Sequence, residues 1–221
     1  MDAIWSVLIF LGSSVCHQLP ERSYFYGDLQ MPLCARCIGI HFGFLVSALF
    51  LMLGPKRFCS IVLGPKQLVI LGVIMSVFAI DGSISYLGIS QSDNLRRTLS
   101  GLALGIPLPF FLLPFINSFV FPERNRTRSI ETSADWLALP GLYLLGAGAV
   151  LLADANGVLF YIVSSMGIIG MFSFFSGNAS MLALLGFDKS RITASRRLIL
   201  GAAAATGVLL LIATIRQLLF G

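Results

Sequence analysis

The sequence predicts an all-α integral membrane protein, a helical bundle of about seven segments in which six long spans follow a short first one. Three observations predict it. Hydrophobic residues make up 57% of the 221 and charged ones only 11%, where a soluble domain carries about 25% charged, so there is too little polar surface to face water. Apolar runs of about 20 residues, enough to cross a bilayer core of about 30 Å, recur along the chain, whose mean hydropathy is +0.89. Lys and Arg gather in alternate connections between these runs. The length suits one transmembrane domain over 1–221 and leaves no room for a separate soluble one. The excess of 15 Lys and Arg over 10 acids is read as loop charge of a membrane protein, so nucleic-acid binding is not expected.

The first apolar segment, residues 4–15, falls short of the roughly 17 residues that a straight span requires. It spans only with help from its neighbours, or it is re-entrant. Asp2 stands where a secretory leader has basic residues, and no small-x-small cleavage site follows, so the segment is expected to be retained. Residues 16–33 read as a loop broken by Pro20, Gly27 and Pro32, with Tyr24, Phe25 and Tyr26 as an interfacial aromatic cluster. The second span is 33–53, where Gly39 and Gly43 form a small-xxx-small pair. The third is 68–89, interrupted by Asp81-Gly82-Ser83. The fourth is 98–121, with Gly101 and Gly105 one turn apart; Pro107, Pro109 and Pro114 argue against a straight helix. The last three are 136–155, 158–185 and 198–220, and Gly177-Asn178 predicts a kink or a polar contact in the sixth.

The second, fourth and sixth connections are basic, through Lys56, Arg57 and Lys66, then Arg124, Arg126 and Arg128, then Lys189, Arg191, Arg196 and Arg197. They are expected in the cytoplasm. The connection around Asp154 has no basic residue, and the third holds Arg96 and Arg97 at the start of a helix. The loop after the first segment and the third connection are then extracytoplasmic together.

Three of the four cysteines and both histidines lie between Cys16 and His41. Cys34, Cys37 and His41, at i, i+3 and i+7, share one face of a helix, and a hairpin would bring Cys16 and His17 alongside. Thiolates with imidazole suit tetrahedral zinc, and Cys16, Cys34 and Cys37 with one histidine would complete a four-ligand set. The same residues suit redox work: a C-x-x-C at a helix N-terminus beside Arg36 has an activated first thiol, and an outer face permits a disulfide. Packed thiols without a further role are the third reading. Cys59, on the cytoplasmic side, reads as an ordinary buried thiol.

Cys16-His17-Gln18-x-Pro20-x-Arg22-Ser23, followed by Leu33-Cys34-Ala35-Arg36-Cys37-x-Gly39-Ile40, resembles domain-of-unknown-function family 2085 of prokaryotic membrane proteins. The likeness continues through Asp81-Gly82 and Ser92-x-Asn94-x-Arg96 to Gly101 and Gly105, so it covers about residues 16–105. It implies a multi-pass membrane protein with a Cys/His site and no assigned activity. The family pattern usually has Tyr at the position of His41 and often Thr at that of Ile38, which raises His17 over His41 as a ligand.

Asp81 lies within an apolar run, where an acid faces a polar cavity or a partner. Ser92, Asp93 or Asn94 is expected to cap the fourth span. Arg96, with Arg22 and Arg36 on the same side, can take an anion bidentately. The expected site therefore has Cys16, His17, Cys34, Cys37 and His41 as metal ligands, zinc as the cofactor, and Arg22, Arg36, Asp81, Ser92, Asn94 and Arg96 as polar or anion-binding neighbours. Membrane lipids are the expected partners, with an anionic lipid or a small anion as the ligand of the arginines. A membrane thiol-disulfide oxidoreductase and a transporter remain as alternatives, the latter on the fourth span's prolines and the Gly177-Asn178 break.

Overall fold

The computed structural model describes residues 3–121, 126–186 and 193–220. Asp2, Arg124, Lys189 and Arg191 lie outside the described residues. Helix α1 (Ala3–Gly12) is followed by a 3-10 turn (Pro20–Arg22) and a hairpin of β1 (Phe25–Tyr26) with β2 (Leu29–Gln30). Then come α2 (Ala35–Leu53), α3 (Pro65–Tyr86), α4 (Asn94–Gly105), α5 (Leu108–Val120), α6 (Ser133–Leu151), α7 (Gly157–Gly186) and α8 (Ala194–Phe220). Among the described residues six spans are long and apolar enough to cross a membrane, with α4 and α5 counted as one.

Helix α2 sits at the centre, packed on α4, α7, α6 and α5, while α7 pairs with α8 and α3 leans on α4. Lipid tails are as apolar as leucine, so close packing rather than water exclusion holds such helices together. Glycines permit the approach. A methyl on Gly101 or Gly105 would run into the carbonyl oxygens of Arg36 and Ile40 on α2. The outward residues Val69, Val73, Val77 and Ile80 of α3 are exposed in the protein, as a lipid-facing side requires.

Local sequence explains the helix ends. Asp93 caps α4, its carboxylate accepting from the Arg96 amide at 2.7 Å. Thr132 and Asp135 form a capping box on α6. Pro107 separates α4 from α5, and the Ile106 carbonyl left at the break accepts a hydrogen bond from Ser47 Oγ at 2.7 Å. One expected interruption is absent, and at Gly177-Asn178 the expected polar contact occurs without a break. α3 runs unbroken through Asp81-Gly82-Ser83, because Asp81 and Ser83 keep their backbone bonds within the helix. α7 runs through Gly177-Asn178, where Asn178 Nδ2 donates to the Phe174 carbonyl one turn back at 2.8 Å.

Helix α1 enters the bundle and stops. Its 10 residues reach only about 15 Å, half of a bilayer core. Trp5, near its start, stacks on Phe160 near the start of α7, with ring centroids 5.4 Å apart. Ser14, beyond its end, reaches Met171, farther down α7. The chain then turns back, and Tyr26 on the hairpin packs again at Gly157 and Phe160. The first segment is therefore re-entrant: it begins at the end of the bundle where the hairpin lies. The hairpin itself, with Tyr26 opposite Leu29, closes on Gly27 at φ +56°, a left-handed conformation suited to glycine.

At the other end of the bundle the basic connections meet. Lys56 Nζ pairs with Glu131 at 3.2 Å and Asp135 at 3.4 Å, and Ile61 bridges Arg128. Asn117 Nδ2 donates to the carbonyls of Arg57 and Cys59.

Single cysteines introduced at Ala3, Asp28 and Asp154, all exposed, are expected to react with a membrane-impermeant maleimide from one side of the membrane, and one at Lys66 from the opposite side. Ala3 and Lys66 labelled from the same side would contradict the re-entrant first helix.

Candidate metal site

The end of α1 and the start of α2 are pressed together by local sequence. Gly12 leaves no room for a side chain: a methyl there would strike the Pro32 carbonyl oxygen. The return turn Cys16-His17-Gln18 places Gln18 at φ +52°, a left-handed conformation that is strained for a residue with a side chain. Its side chain holds the turn closed. Gln18 Nε2 donates to the Ile9 carbonyl at 2.7 Å and the Pro32 carbonyl at 2.9 Å, joining the end of α1 to the strand that enters α2. Gln30 Nε2 donates to the Gln18 carbonyl at 2.6 Å and so fixes the turn from the hairpin.

This geometry brings three sulfurs together. The Sγ atoms of Cys16, Cys34 and Cys37 lie within 4.8 Å of one another, and all the cysteines are free. Cys16 Sγ accepts backbone hydrogen bonds from Gln18 N at 3.4 Å and Cys34 N at 3.1 Å. Two N–H donors aimed at one sulfur favour its thiolate. Hydrogen bonding from Cys16, and next from Cys37, holds the Cys34 thiol far below the usual thiol range, and the bond shared with Cys34 pushes Cys16 up.

Tetrahedral zinc with Zn–S bonds of ~2.3 Å sets its sulfurs ~3.8 Å apart. The triad is within about 1 Å of that spacing, which small side-chain rotations close, so the donor set fits the ion. Cys16 is 1% exposed and Cys34 and Cys37 are partly exposed. They line a cavity of about 230 Å³ together with Val15, His17, Gln18, Leu19 and Arg22.

The two histidines part company. His17 is exposed on the cavity wall, outside the converging donors. His41 is buried deeper in α2, packed on Phe174 at 5.4 Å and Phe175 at 5.9 Å between ring centroids. Its Nδ1 has no hydrogen-bond partner among the described residues.

The polar neighbours gather on Asp81, which is 4% exposed. Arg36 Nη2 contacts its Oδ2 at 2.5 Å and Arg96 Nε its Oδ1 at 2.6 Å. Ser92 Oγ donates to Oδ1 at 3.1 Å and Ser100 Oγ to Oδ2 at 2.9 Å. Removing one partner of a buried ion pair typically costs about 3–5 kcal/mol, so this knot ties α2, α3 and α4 firmly. Asn94 is engaged elsewhere, its Nδ2 donating to the Ser23 carbonyl at 3.1 Å. Tyr24 Oη contacts the Asn94 carbonyl at 3.1 Å and Thr98 Oγ1 at 2.9 Å, fixing the Cys loop to the start of α4.

Of Arg22, Arg36, Arg96 and Arg97, Asp81 holds Arg36 and Arg96. The Arg22 side chain pairs with Glu21 at an exposed 3.8 Å. Arg97 has one long contact, 3.4 Å to Asn94 Oδ1, and Arg22, Arg36 and Cys34 are among its electrostatic neighbours. Gln18, Arg97 and Ser100 were not singled out from the sequence. Gln18 lies within the Cys-His-Gln motif, and its adjacency to Cys16 was the available signal.

Gln18→Ala removes the side-chain donor of the Pro32 carbonyl, at about 1–3 kcal/mol, while the Ile9 carbonyl keeps the Ser13 amide at 3.0 Å. The variant is expected to unfold earlier in a denaturant titration and to expose Cys16 to alkylation; wild-type stability with an unreactive Cys16 would contradict the clamp.

Comparison with known proteins supplies the family. The model of a family described as predicted membrane protein (DUF2085) matches residues 16–111, the stretch that holds the cysteine triad and the Asp81 knot. An uncharacterized protein of Methanocaldococcus jannaschii is 31% identical over 113 residues, 50% of this chain and 69% of the relative. An uncharacterized protein of Methanothermobacter thermautotrophicus is 32% identical over 94 residues, 42% of this chain and 80% of the relative. No solved structure matches. The Cys16-to-Cys37 signature and the extent of these alignments establish that the chain belongs to the DUF2085 family of membrane proteins.

Proposed function

We propose that this membrane protein binds one zinc ion through Cys16, Cys34 and Cys37, and that the ion's fourth position receives an anionic ligand. The observation that carries the reading is the convergence of three sulfurs on one cavity, with two backbone N–H groups aimed at Cys16 Sγ. Soft thiolates select zinc over the hard cations. Closed sites of four protein ligands are structural, whereas three protein ligands leave a position for water or a ligand. The cavity that the three cysteines line is lined by His17 and Arg22 as well, and these residues would stand beside a ligand of a bound ion.

An anion suits that cavity. Arg22 lines it and is not held by Asp81, and a guanidinium matches phosphate or carboxylate oxygens. An anionic lipid headgroup and a small free anion share this chemistry. The basic connections at the far end of the bundle support an extracytoplasmic site, since Lys and Arg accumulate in cytoplasmic loops.

Elemental analysis of the purified protein is expected to give about one zinc per chain, with Cys16→Ser and Cys34→Ser each losing most of it. Inorganic phosphate, and vesicles containing phosphatidylglycerol, are expected to shift the visible bands of the cobalt-loaded protein. Arg22→Gln should weaken that shift while retaining the metal. A response to phosphate alone assigns a free anion, and a response to vesicles alone a lipid. A metal-free protein with one reversible disulfide would overturn the reading in favour of thiol-disulfide exchange.

A further inference from the structure

We infer that Arg216, on the last helix, is a positioning residue that holds the Cys16 ligand in place; the inference rests on the zinc reading for its ligand, not for its geometry. Between Arg197 and the end of α8, Arg216 is the one charged residue in an otherwise apolar helix. A charge in such a segment needs a partner. Its Nη1 donates to the Ser13 carbonyl at 2.8 Å and to the Cys16 carbonyl at 2.5 Å, and among the described residues no carboxylate pairs with it.

Those two carbonyls belong to the turn that follows α1, which ends at Gly12. The last carbonyls of any α-helix lack an intrahelical partner, and α1 ends where water is scarce. Three of the carbonyls near its end have other donors: Gln18 takes Ile9, and the hydroxyls of Ser13 and Ser14 take Phe10 and Leu11. Arg216 takes Ser13 and Cys16. A cation at a helix C-terminus also complements the negative end of its dipole. The contact is made by a single nitrogen and it fixes the backbone of the residue whose sulfur joins Cys34 and Cys37. The outer partners of metal ligands set affinity in this way, and their loss typically costs about 10–100-fold in metal binding.

The position also gives the C-terminal helix a role at the site. Residues 16–111 carry the family match, and Arg216 lies far beyond them. The side-chain donors that shape the Cys16 turn thus come from both ends of the chain.

The test uses the full chain in detergent or nanodiscs. Arg216→Met keeps α8 apolar and removes the donor; Arg216→Lys keeps one nitrogen donor and the charge. Zinc affinity, by chelator competition, is expected to fall about 10–100-fold in the Met variant and to be largely restored in the Lys variant. The thiolate-to-cobalt charge-transfer band of the Met variant should lose intensity as Cys16 leaves the metal. Thr214→Ala, whose hydroxyl bonds only within α8, should match wild type. Wild-type affinity and an unchanged cobalt spectrum in a folded Met variant would overturn the proposal, as would a Lys variant as weak as the Met one. The Lys comparison stands alone if the Met variant does not fold. A second readout needs no metal: in the metal-free protein, Cys16 should be alkylated faster in Arg216→Met than in wild type. Faster alkylation in a chain that binds no zinc would end the zinc reading and support the positioning role; equal rates would overturn the positioning role itself.

Discussion

The side-chain amide of Gln18 is the contact on which the site depends. A helix that ends within an apolar bundle must dispose of its last carbonyls, and a chain that reverses there must do so without water. Gln18 meets both demands at once, bridging the Ile9 and Pro32 carbonyls from a left-handed turn. Because the bridge spans the end of α1 and the approach to α2, Cys16 comes to rest against the Cys34 amide. Gly12 makes the approach possible by having no side chain to meet Pro32. The three-sulfur cluster is a consequence of how the re-entrant helix is closed.

A second anchor holds the other side. Asp81 draws Arg36 of α2 and Arg96 of α4 onto one carboxylate, with Ser92 and Ser100 filling its remaining lone pairs. Arg36 lies between Cys34 and Cys37 in sequence, so the knot fixes the first turn of α2 from the side opposite the cysteines. The glycine contact between α2 and α4 sets their spacing, and Tyr24 ties the loop to the start of α4. Arg22, which Asp81 does not hold, lines the cavity with the cysteines.

The spans were legible because each is an apolar run of bilayer length, and the α4–α5 break because Pro107 cannot continue a helix. The interruption expected at Asp81-Gly82-Ser83 was misread, because Asp81 finds partners on neighbouring helices and the helix continues; at Gly177-Asn178 the polar contact is present, Asn178 bonding one turn back, without a break in the helix. The cysteine cluster was legible from density and spacing alone. The separation of His17 from His41 was not, because it depends on the rotation of α2 against Phe174 and Phe175 of α7. Nor could spacing reveal that Gln18 and Arg216 shape the Cys16 turn. Their partners are backbone carbonyls, which leave no trace in sequence, although a lone arginine in the apolar run of α8 was a signal to follow.

X-ray absorption at the zinc edge of the purified protein tests the central claim most directly. Three sulfur scatterers at ~2.3 Å and one lighter nitrogen or oxygen scatterer at ~2.0 Å are predicted. A shell without sulfur, or one of four light atoms, would contradict the account.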